Sequence, residues 1–200
     1  MSLSNNRMVA ETMARGVEAV QRQAVKGEQP ASDWDAAAYQ EILTSFVGSN
    51  PETFGGGIWF EPYQYRPEQR YFSPYCMRQN GAVTYVDNYS LGEGVYYTDQ
   101  DWYTNAANTT QKSVWSAPYY DEFAQISMVT SSAPIYDETG RFLGVATADI
   151  DLTQMQQMVL SLDVVANGRA FLIDDTGVYI ADEDSEKLLS ANILEDDNPS

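Results

Sequence analysis

The stretch from Ile126 to Asp151, ISMVTSSAPIYDETGRFLGVATADID, decides the fold class of this 200-residue chain. It contains two runs rich in β-branched and other apolar residues, Ile126 to Tyr136 and Phe142 to Asp151. The residues between them, Asp137-Glu138-Thr139-Gly140, are of types that favour a tight turn. The stretch therefore predicts two long antiparallel strands joined by a turn.

Asp149 is the unusual residue of this hairpin. Alternation along the second strand places Val145, Thr147 and Asp149 on one face. A carboxylate inside a strand needs a hydrogen-bonding or charged partner, because burying it without one costs free energy. Two interpretations are open: Asp149 binds a ligand, or it makes a structural hydrogen bond to a loop.

The segment before the hairpin predicts two helices. From Asn5 to Lys26 apolar residues recur at spacings of three and four, which indicates a long amphipathic helix. Gly27 and Pro30 are expected to end it, and Ser32-Asp33 to begin a second helix. The apolar residues of the second helix are Tyr39, Ile42, Leu43, Phe46 and Val47.

Between these helices and the hairpin, short segments rich in aromatic and β-branched residues are separated by Gly, Pro and Asn. Three strands are predicted here, Gly57 to Phe60, Arg70 to Met77 and, after an Asn80-Gly81 turn, Val83 to Val86. Gly55-Gly-Gly57 is expected to be a flexible approach to the first strand.

Two further helices are predicted. Asp101 is expected to cap a short helix that runs through Asn108, and a helix from Leu152 to Leu162 leads to a smaller unit. That unit has predicted strands at Arg169 to Asp174 and Val178 to Ala181, around the turn Asp174-Asp175-Thr176-Gly177. Two similar hairpins separated by a helix indicate an α+β fold with two related modules in tandem.

Charge and composition exclude several classes of function. The chain has 29 acidic and 11 basic residues and a pI near 4.1, which argues against binding to nucleic acid or anionic lipid. Cys76 is the single cysteine, so an intramolecular disulfide and a cysteine-based zinc cluster are excluded. The sequence has no histidine and no nucleophile motif, and we predict no catalytic residue, no metal site and no cofactor.

The ends of the chain suggest a part of a larger protein. No apolar run approaches the ~20 residues needed to cross a membrane, and no signal peptide is present. The chain begins with Met1-Ser2-Leu3 and stops at Asp196-Asp197-Asn198-Pro199-Ser200 without a closing element. We therefore expect it to be an excised part of something longer.

The middle of the chain combines aromatic rings with acids. Seventeen of the 25 aromatic residues lie between Ile58 and Phe123, and between Gln79 and Gly140 there are eight acids and one basic residue, Lys112. Such a segment suits a cation, which carboxylates bind through charge-assisted hydrogen bonds and rings through cation–π contacts worth ~0.5–2 kcal/mol. A core of aromatic strands is the alternative explanation for the rings.

Six stretches, taken in order, resemble the double Cache family, the extracytoplasmic sensor domains of bacterial chemoreceptors, histidine kinases and cyclic-dinucleotide enzymes. They are Gly57 to Pro62, Asp101 to Tyr103 with Ala106, Trp115 to Asp121, Val129 to Pro134, Gly140 to Asp149, and Ala170 to Asp174 with Gly177. Their order and spacing together carry the resemblance, which covers nearly the whole chain.

The resemblance implies an α+β fold in which a long N-terminal helix precedes tandem PAS-like modules with antiparallel sheets. Residues 1–52 would form the helical stalk and second helix, and residues 53–151 the membrane-distal module that binds the ligand. Residues 152–200 would form a connecting helix and a membrane-proximal module. The chain is expected to end before the last strands of that module, which would leave it incomplete.

The resemblance also implies a set of ligand-binding residues. In family members that bind amino acids, an aromatic pair and two aspartates surround the ligand, and a further tyrosine joins them. By position, the aromatic pair is Trp102 and Tyr103, the tyrosine is Tyr119, and the aspartates are Asp121 and Asp149.

Three further positions complete the predicted site. Trp115 is expected in its wall, and Tyr97, or Tyr96 in its place, is a candidate for closing its mouth. In the family an arginine two residues before the tryptophan binds the ligand carboxylate, but here that position is Gln100. A neutral amide lacks the bidentate charged fork that a carboxylate needs.

The predicted function is that of an extracytoplasmic sensor domain of a bacterial transmembrane receptor, on the periplasmic or extracellular side of the inner membrane. Its expected ligand is a small amine, favoured over an amino acid because of Gln100. The parent protein would be anchored by segments outside this chain and form a homodimer through the N-terminal helix. A secreted acidic hydrolase that uses carboxylates is one alternative, and a purely structural dimerisation stalk is another.

Overall fold

The computed structural model of the chain describes residues 3–26, 34–87, 89, 94–162, 168–173, 177–184, 187 and 191–195. By internal contacts the chain divides into two compact units. The first contains residues 1–116 and 130–150, and the second contains residues 117–129 and 151–200. The module boundaries derived from the sequence, 1–52, 53–151 and 152–200, stay a prediction.

Two helices open the first unit, α1 (Leu3–Lys26) and α2 (Trp34–Ser49). The prediction of one continuous helix from Asn5 to Lys26 is confirmed, because its apolar positions form a buried stripe. Gly27, Pro30 and Ser32-Asp33, which were expected to separate the helices, lie outside the described residues. Within the part of the chain that the structure describes, no helix is both long enough and apolar enough to cross a bilayer.

A seven-stranded sheet follows, and its described pairings are antiparallel. The strands are β1 (Gly55–Phe60), β2 (Tyr75–Gln79), β3 (Ala82–Val86), β4 (Val114–Trp115), β5 (Tyr119–Asp121), β6 (Ile126–Tyr136) and β7 (Phe142–Asp151). Their order is β3-β2-β1-β7-β6-β4, and β5 pairs with the first three residues of β6. The sequence-predicted bounds of β6 and β7 are confirmed.

The turn at Asn80-Gly81 is also confirmed. Both residues have positive φ, 52° and 80°, as the tight turn of a two-residue hairpin requires, and β2 and β3 pair on either side of it. The predicted strand from Arg70 to Met77 is wrong at its start, because regular pairing begins at Tyr75. Pro74 just before it has no N–H to donate to a ladder, although its carbonyl accepts a hydrogen bond from Ile58 N.

The main core of the first unit lies between one face of the sheet and the two helices. Ile58 and Phe60 of β1 pack there with Ala146 and Ala148 of β7. The helices contribute buried residues at helical spacing to the same cluster, namely Val9, Met13, Val17, Tyr39, Leu43 and Val47. Burying a large apolar side chain stabilises the fold by roughly 1.5–3 kcal/mol, so this face fixes the sheet on the helices.

Between β3 and β4 the described residues form a 3₁₀ helix (Tyr97–Asp99) and α3 (Asp101–Ala107). The expectation that Asp101 caps α3 is wrong. Gln100 occupies the N-cap position, and its side chain makes no capping hydrogen bond. Trp102, Tyr103 and Ala106 of α3 are buried.

The second unit contains β5, α4 (Leu152–Leu160), β8 (Leu172–Ile173) and β9 (Tyr179–Ala181). Asp151 caps α4, because its Oδ1 accepts a hydrogen bond of 2.8 Å from Thr153 N. The helix ends two residues earlier than predicted. Strands β8 and β9 are antiparallel as expected, but the central residues of the turn at 174–176 lie outside the described residues.

Candidate ligand-binding site

The face of the sheet opposite the helices carries the candidate site. Alternation along β7 places Val145, Thr147 and Asp149 there, and the register pairs these residues with Trp59, Gly57 and Gly55 of β1. We call this the Asp149 face. Its two glycines have no side chain, which leaves room beside Thr147 and Asp149 for side chains from other positions.

Gly55 makes room for Tyr75. A Cβ atom on Gly55 would lie 2.1 Å from the Tyr75 hydroxyl oxygen, so the Tyr75 ring, which comes from β2, occupies that space. Across it, Tyr75 Oη donates a hydrogen bond of 2.6 Å to Asp149 Oδ2 on β7. The expectation that Gly55-Gly-Gly57 is a flexible approach is therefore wrong, since all three glycines lie in the buried strand β1.

Gly57 makes room for Trp59 in the same way. A Cβ on Gly57 would lie 2.6 Å from the Trp59 indole, which folds back along its own strand. Trp59 Nε1 then donates a hydrogen bond of 2.9 Å to Thr147 Oγ1, and Gly57 N donates to the same oxygen at 3.1 Å. The indole is thus fixed as a wall of the Asp149 face.

Asp149 is 3% exposed, and each of its carboxylate oxygens accepts a hydrogen bond from a hydroxyl. Tyr75 donates to Oδ2, and Thr130 Oγ1 of β6 donates to Oδ1 at 2.8 Å. These two donors lie on strands β2 and β6 and not on a loop, unlike the structural alternative considered from the sequence. Both of these donors are neutral hydroxyl groups.

A group of aromatic rings packs around Trp59, next to the residues that contact Asp149. The Trp59 ring centroid lies 4.7 Å from that of Trp102, 5.2 Å from Tyr89, 5.5 Å from Tyr97 and 5.8 Å from Tyr75. We call these five rings the aromatic cluster. Electron-rich ring faces next to a buried carboxylate are the chemistry that proteins use for ammonium groups.

The two predicted tyrosines near α3 direct their hydroxyls elsewhere. Tyr103 Oη donates a hydrogen bond of 2.7 Å to Glu61 Oε2, and burial, with the nearby Glu61 carboxylate, raises the pKa of Tyr103. Tyr97 Oη donates to Phe60 O at 2.5 Å, and burial raises the pKa of Tyr97 as well. Both phenols therefore stay neutral, and the Tyr97 ring contributes to the aromatic cluster.

Gln100 lies between the 3₁₀ helix and α3 and is partly exposed. Its Nε2 donates a long hydrogen bond of 3.4 Å to Tyr96 O. The side chain is therefore only weakly held in place.

Trp115 points away from the Asp149 face. It lies directly across from Ser131 of β6, and paired residues on neighbouring strands point to the same side. Thr130, next to Ser131, points to the Asp149 face, so alternation turns Ser131 and Trp115 to the other one. The structure does not bring Trp115 together with Asp149.

Tyr119 and Asp121 belong to the second unit, in which β5 pairs them with Met128 and Ile126. Tyr119 is half-buried, and Asp121 is buried. The Asp121 carboxylate accepts a hydrogen bond of 2.7 Å from Ala124 N and so stabilises its own turn. Their predicted part in ligand binding stays a prediction.

Sequence reasoning missed five residues of the Asp149 face and its surroundings as site residues: Trp59, Tyr75, Tyr89, Thr130 and Thr147. One signal was present in the sequence. Gly55, Gly57 and Trp59 alternate along one strand, and glycines in a strand mark a close approach of other groups.

Among the described residues, no group of three or more Cys, Asp and Glu side chains is arranged to hold a metal ion. A groove of about 460 Å³ lies among α1, the β1–β2 connection and the β6–β7 turn, and no residue of the Asp149 face lines it.

The chain matches a known family of sensor domains. The profile described as methyl-accepting chemotaxis protein-like, first PDC sensor domain, matches residues 39–157, which is more than half of the chain. The chain belongs to this family.

Two bacterial receptors are relatives in sequence. The methyl-accepting chemotaxis protein McpC of Bacillus subtilis strain 168 is 38% identical over 84 residues, which is 42% of this chain and 13% of that protein. McpA of Pseudomonas putida is 25% identical over 194 residues, which is 94% of this chain and 29% of that protein. The chain thus spans less than a third of the length of either relative.

Solved structures share the fold. The extracellular domain mmHK1S-Z3 superposes with a TM-score of 0.78 at 20% identity, covering 98% of this chain and 69% of that one. The ligand-binding domain of CtaA of Pseudomonas fluorescens, solved with L-valine, has a TM-score of 0.60 at 16% identity, covering 94% of this chain and 69% of that one. The ligand-binding domain of PctC of Pseudomonas aeruginosa PAO1, solved with GABA, has a TM-score of 0.54 at 18% identity, covering 94% of this chain and 79% of that one. The predicted family resemblance and fold class are confirmed, and the predicted extracytoplasmic location agrees with these neighbours.

Proposed function

We propose that this chain is the ligand-binding part of a bacterial transmembrane receptor and that residues 53–151 bind a small protonated amine or an amino-acid-like metabolite. The observation that carries the proposal is the buried carboxylate of Asp149 beside the aromatic cluster. A net charge of −18 favours a cationic ligand in general, and the Asp149 face supplies the specific contacts.

The chemistry of the site suits an ammonium group. A carboxylate forms shorter and stronger hydrogen bonds with a charged N–H donor than with a neutral hydroxyl. Ring faces add cation–π attraction of ~0.5–2 kcal/mol when the cation is desolvated. An ammonium bound at Asp149 beside the Trp59 ring would therefore gain from both the carboxylate and the aromatic cluster, and Tyr75 could remain as a second donor to Asp149.

An amine is favoured over a zwitterionic amino acid. CtaA and PctC were solved with L-valine and GABA, which both carry a carboxylate in addition to the amine. In this chain Gln100 takes the place of the arginine that the double Cache resemblance implies, and burying a carboxylate without a cationic partner costs several kcal/mol. The ligand we propose therefore lacks a carboxylate or carries one that stays in solvent.

Signalling would pass through α1. Ligand binding between the sheet and α3 would change the packing of the sheet on α1, and a helix shift can carry a local change over a distance. We propose that segments outside this chain anchor the receptor in the membrane and that α1 pairs with its copy in a homodimer. The ligand is returned unchanged, so mass spectrometry after incubation should find no product.

The experiment is a thermal-shift screen of amines and amino acids, followed by calorimetry on variants. Asp149→Asn keeps the shape of the side chain but removes the charge, and it should weaken binding of the best amine by roughly 2–5 kcal/mol. Glu138→Gln, on the exposed β6–β7 turn, is the control and should change almost nothing. Equal losses at Asp149 and Glu138 would show that only the general acidic field attracts the ligand.

A further inference from the structure

Two adjacent serines in the middle of β6 are buried and find no hydrogen-bond partner among the described residues. Ser131 and Ser132 are both 0% exposed, and within that part of the chain neither hydroxyl oxygen has a partner. A buried hydroxyl without a partner costs free energy, so each such group in a native protein calls for an explanation.

The two serines point to opposite faces of the sheet. Thr130 donates its hydroxyl hydrogen to Asp149, so Thr130 is on the Asp149 face, and Ser132, two residues further along the strand, points the same way. Ser131 points to the helix-covered face, as its neighbour Ala133 does in the main core. Only Ser132 can therefore contact a ligand held by Asp149.

A second hydroxyl on this face also has a hydrogen to donate. Thr147 Oγ1 on the adjacent strand β7 accepts from Trp59 Nε1 and Gly57 N, and within the described residues it donates no hydrogen bond. Next to the Asp149 carboxylate, this face of the sheet thus has hydroxyl donors at Ser132 and Thr147. Donors of this kind match an oxygen acceptor on the ligand.

We infer that Ser132 determines specificity by donating a hydrogen bond to a neutral oxygen of the ligand whose ammonium group Asp149 holds. The inference rests on the proposed function and narrows its ligand class to amino alcohols and amino amides, in preference to plain alkylamines. A neutral oxygen is required, because a carboxylate at this distance from Asp149 would be repelled. Ser132 lies two residues along β6 from Thr130, whose hydroxyl donates to Asp149, and residues two apart on a strand are separated by about 7 Å. A ligand with two or three carbons between nitrogen and oxygen can span such a distance with a hydrogen bond at each end.

The test compares two amines of equal size by titration calorimetry. Ethanolamine and n-propylamine have the same number of heavy atoms and differ in the terminal hydroxyl. The chain as it stands should bind ethanolamine more tightly by about threefold to tenfold, the value of one net neutral hydrogen bond. Ser132→Ala should reduce this ratio to about one by weakening ethanolamine binding alone. Ser131→Ala is the matched control, equally buried and equally without a partner, and should keep the ratio.

The outcomes separate this inference from the proposed function. If the ratio is about one in the unchanged chain, or if Ser132→Ala keeps it, Ser132 does not contact the ligand and the inference is overturned. If Ser131→Ala also abolishes the preference for ethanolamine, the effect arises from packing and the inference is overturned as well. If neither amine binds, or if Asp149→Asn binds both as tightly as the unchanged chain, the proposed ammonium site itself fails. Thermal unfolding of both serine variants confirms that they are folded.

Discussion

Gly55→Ala tests whether the fold of β1 and the geometry of the candidate site depend on each other. The new Cβ would lie 2.1 Å from Tyr75 Oη and 2.7 Å from Tyr75 Cζ, far inside contact distance. The backbone oxygen of Cys76 at 3.0 Å limits how far the strand can yield, so the Tyr75 ring must move.

The cost follows from what Tyr75 would lose. Its hydrogen bond to Asp149 is of the charge-assisted kind, worth about 1.5–3 kcal/mol. Its ring contacts with Tyr89 at 4.8 Å and Trp59 at 5.8 Å add roughly 0.5–1.5 kcal/mol. We therefore expect Gly55→Ala to lower the free energy of unfolding by about 2–4 kcal/mol and to weaken ligand binding at Asp149.

Urea unfolding followed by fluorescence measures the loss. Gly48→Ala is the control, because a Cβ there meets nothing within 4 Å, and alanine in a helix is neutral or stabilising by up to ~1 kcal/mol. Tyr75→Phe should cost less in the Gly55→Ala background than alone, since the hydrogen bond to Asp149 is already broken. A change of less than about 0.5 kcal/mol for Gly55→Ala, or strict additivity of the two substitutions, would refute this reasoning.

Three further outcomes are expected. Gln100→Arg should narrow or reverse the difference in affinity between an amine and the amino acid from which it derives by decarboxylation, as measured by calorimetry. If the unmodified chain already binds the amino acid more tightly, the amine assignment is contradicted. Hydrogen bonds from the Thr139 side chain and the Arg141 backbone lower the pKa of Asp137 from 3.8 to about 2. The ionised Asp137 carboxylate therefore stabilises the folded state fully above pH 3.8, and this stabilisation is lost as the pH falls through 2. Asp137→Asn should then reduce the free energy of unfolding at neutral pH but not near pH 2, and an equal reduction at both would show that the charge is not responsible. Burial raises the pKa of the Cys76 thiol to about 12, so a thiol reagent at pH 8 should react only as fast as the chain unfolds, and rapid labelling of native protein would contradict the buried position.

Local patterns in the sequence were sufficient for α1, for β6 and β7, and for the turn between β2 and β3. The spacing of apolar residues in Asn5 to Lys26 gave α1, and the alternating runs on either side of Asp137 to Gly140 gave the full bounds of β6 and β7. The Asn80-Gly81 pair gave its turn, because both positions need positive φ. These features depend on residues a few positions apart, and that is why they can be read along the chain.

The composition of the site depended on tertiary structure. Asp149 was identified from its place inside a strand, but its partners Tyr75 and Thr130 come from β2 and β6, 74 and 19 residues away in sequence. The space that the missing side chains of Gly55 and Gly57 leave in β1 is occupied by two rings, Tyr75 from β2 and Trp59 from β1 itself. Which ring fills which gap is set by the register of β1 between β2 and β7, and register is a relation between distant segments that no local pattern contains.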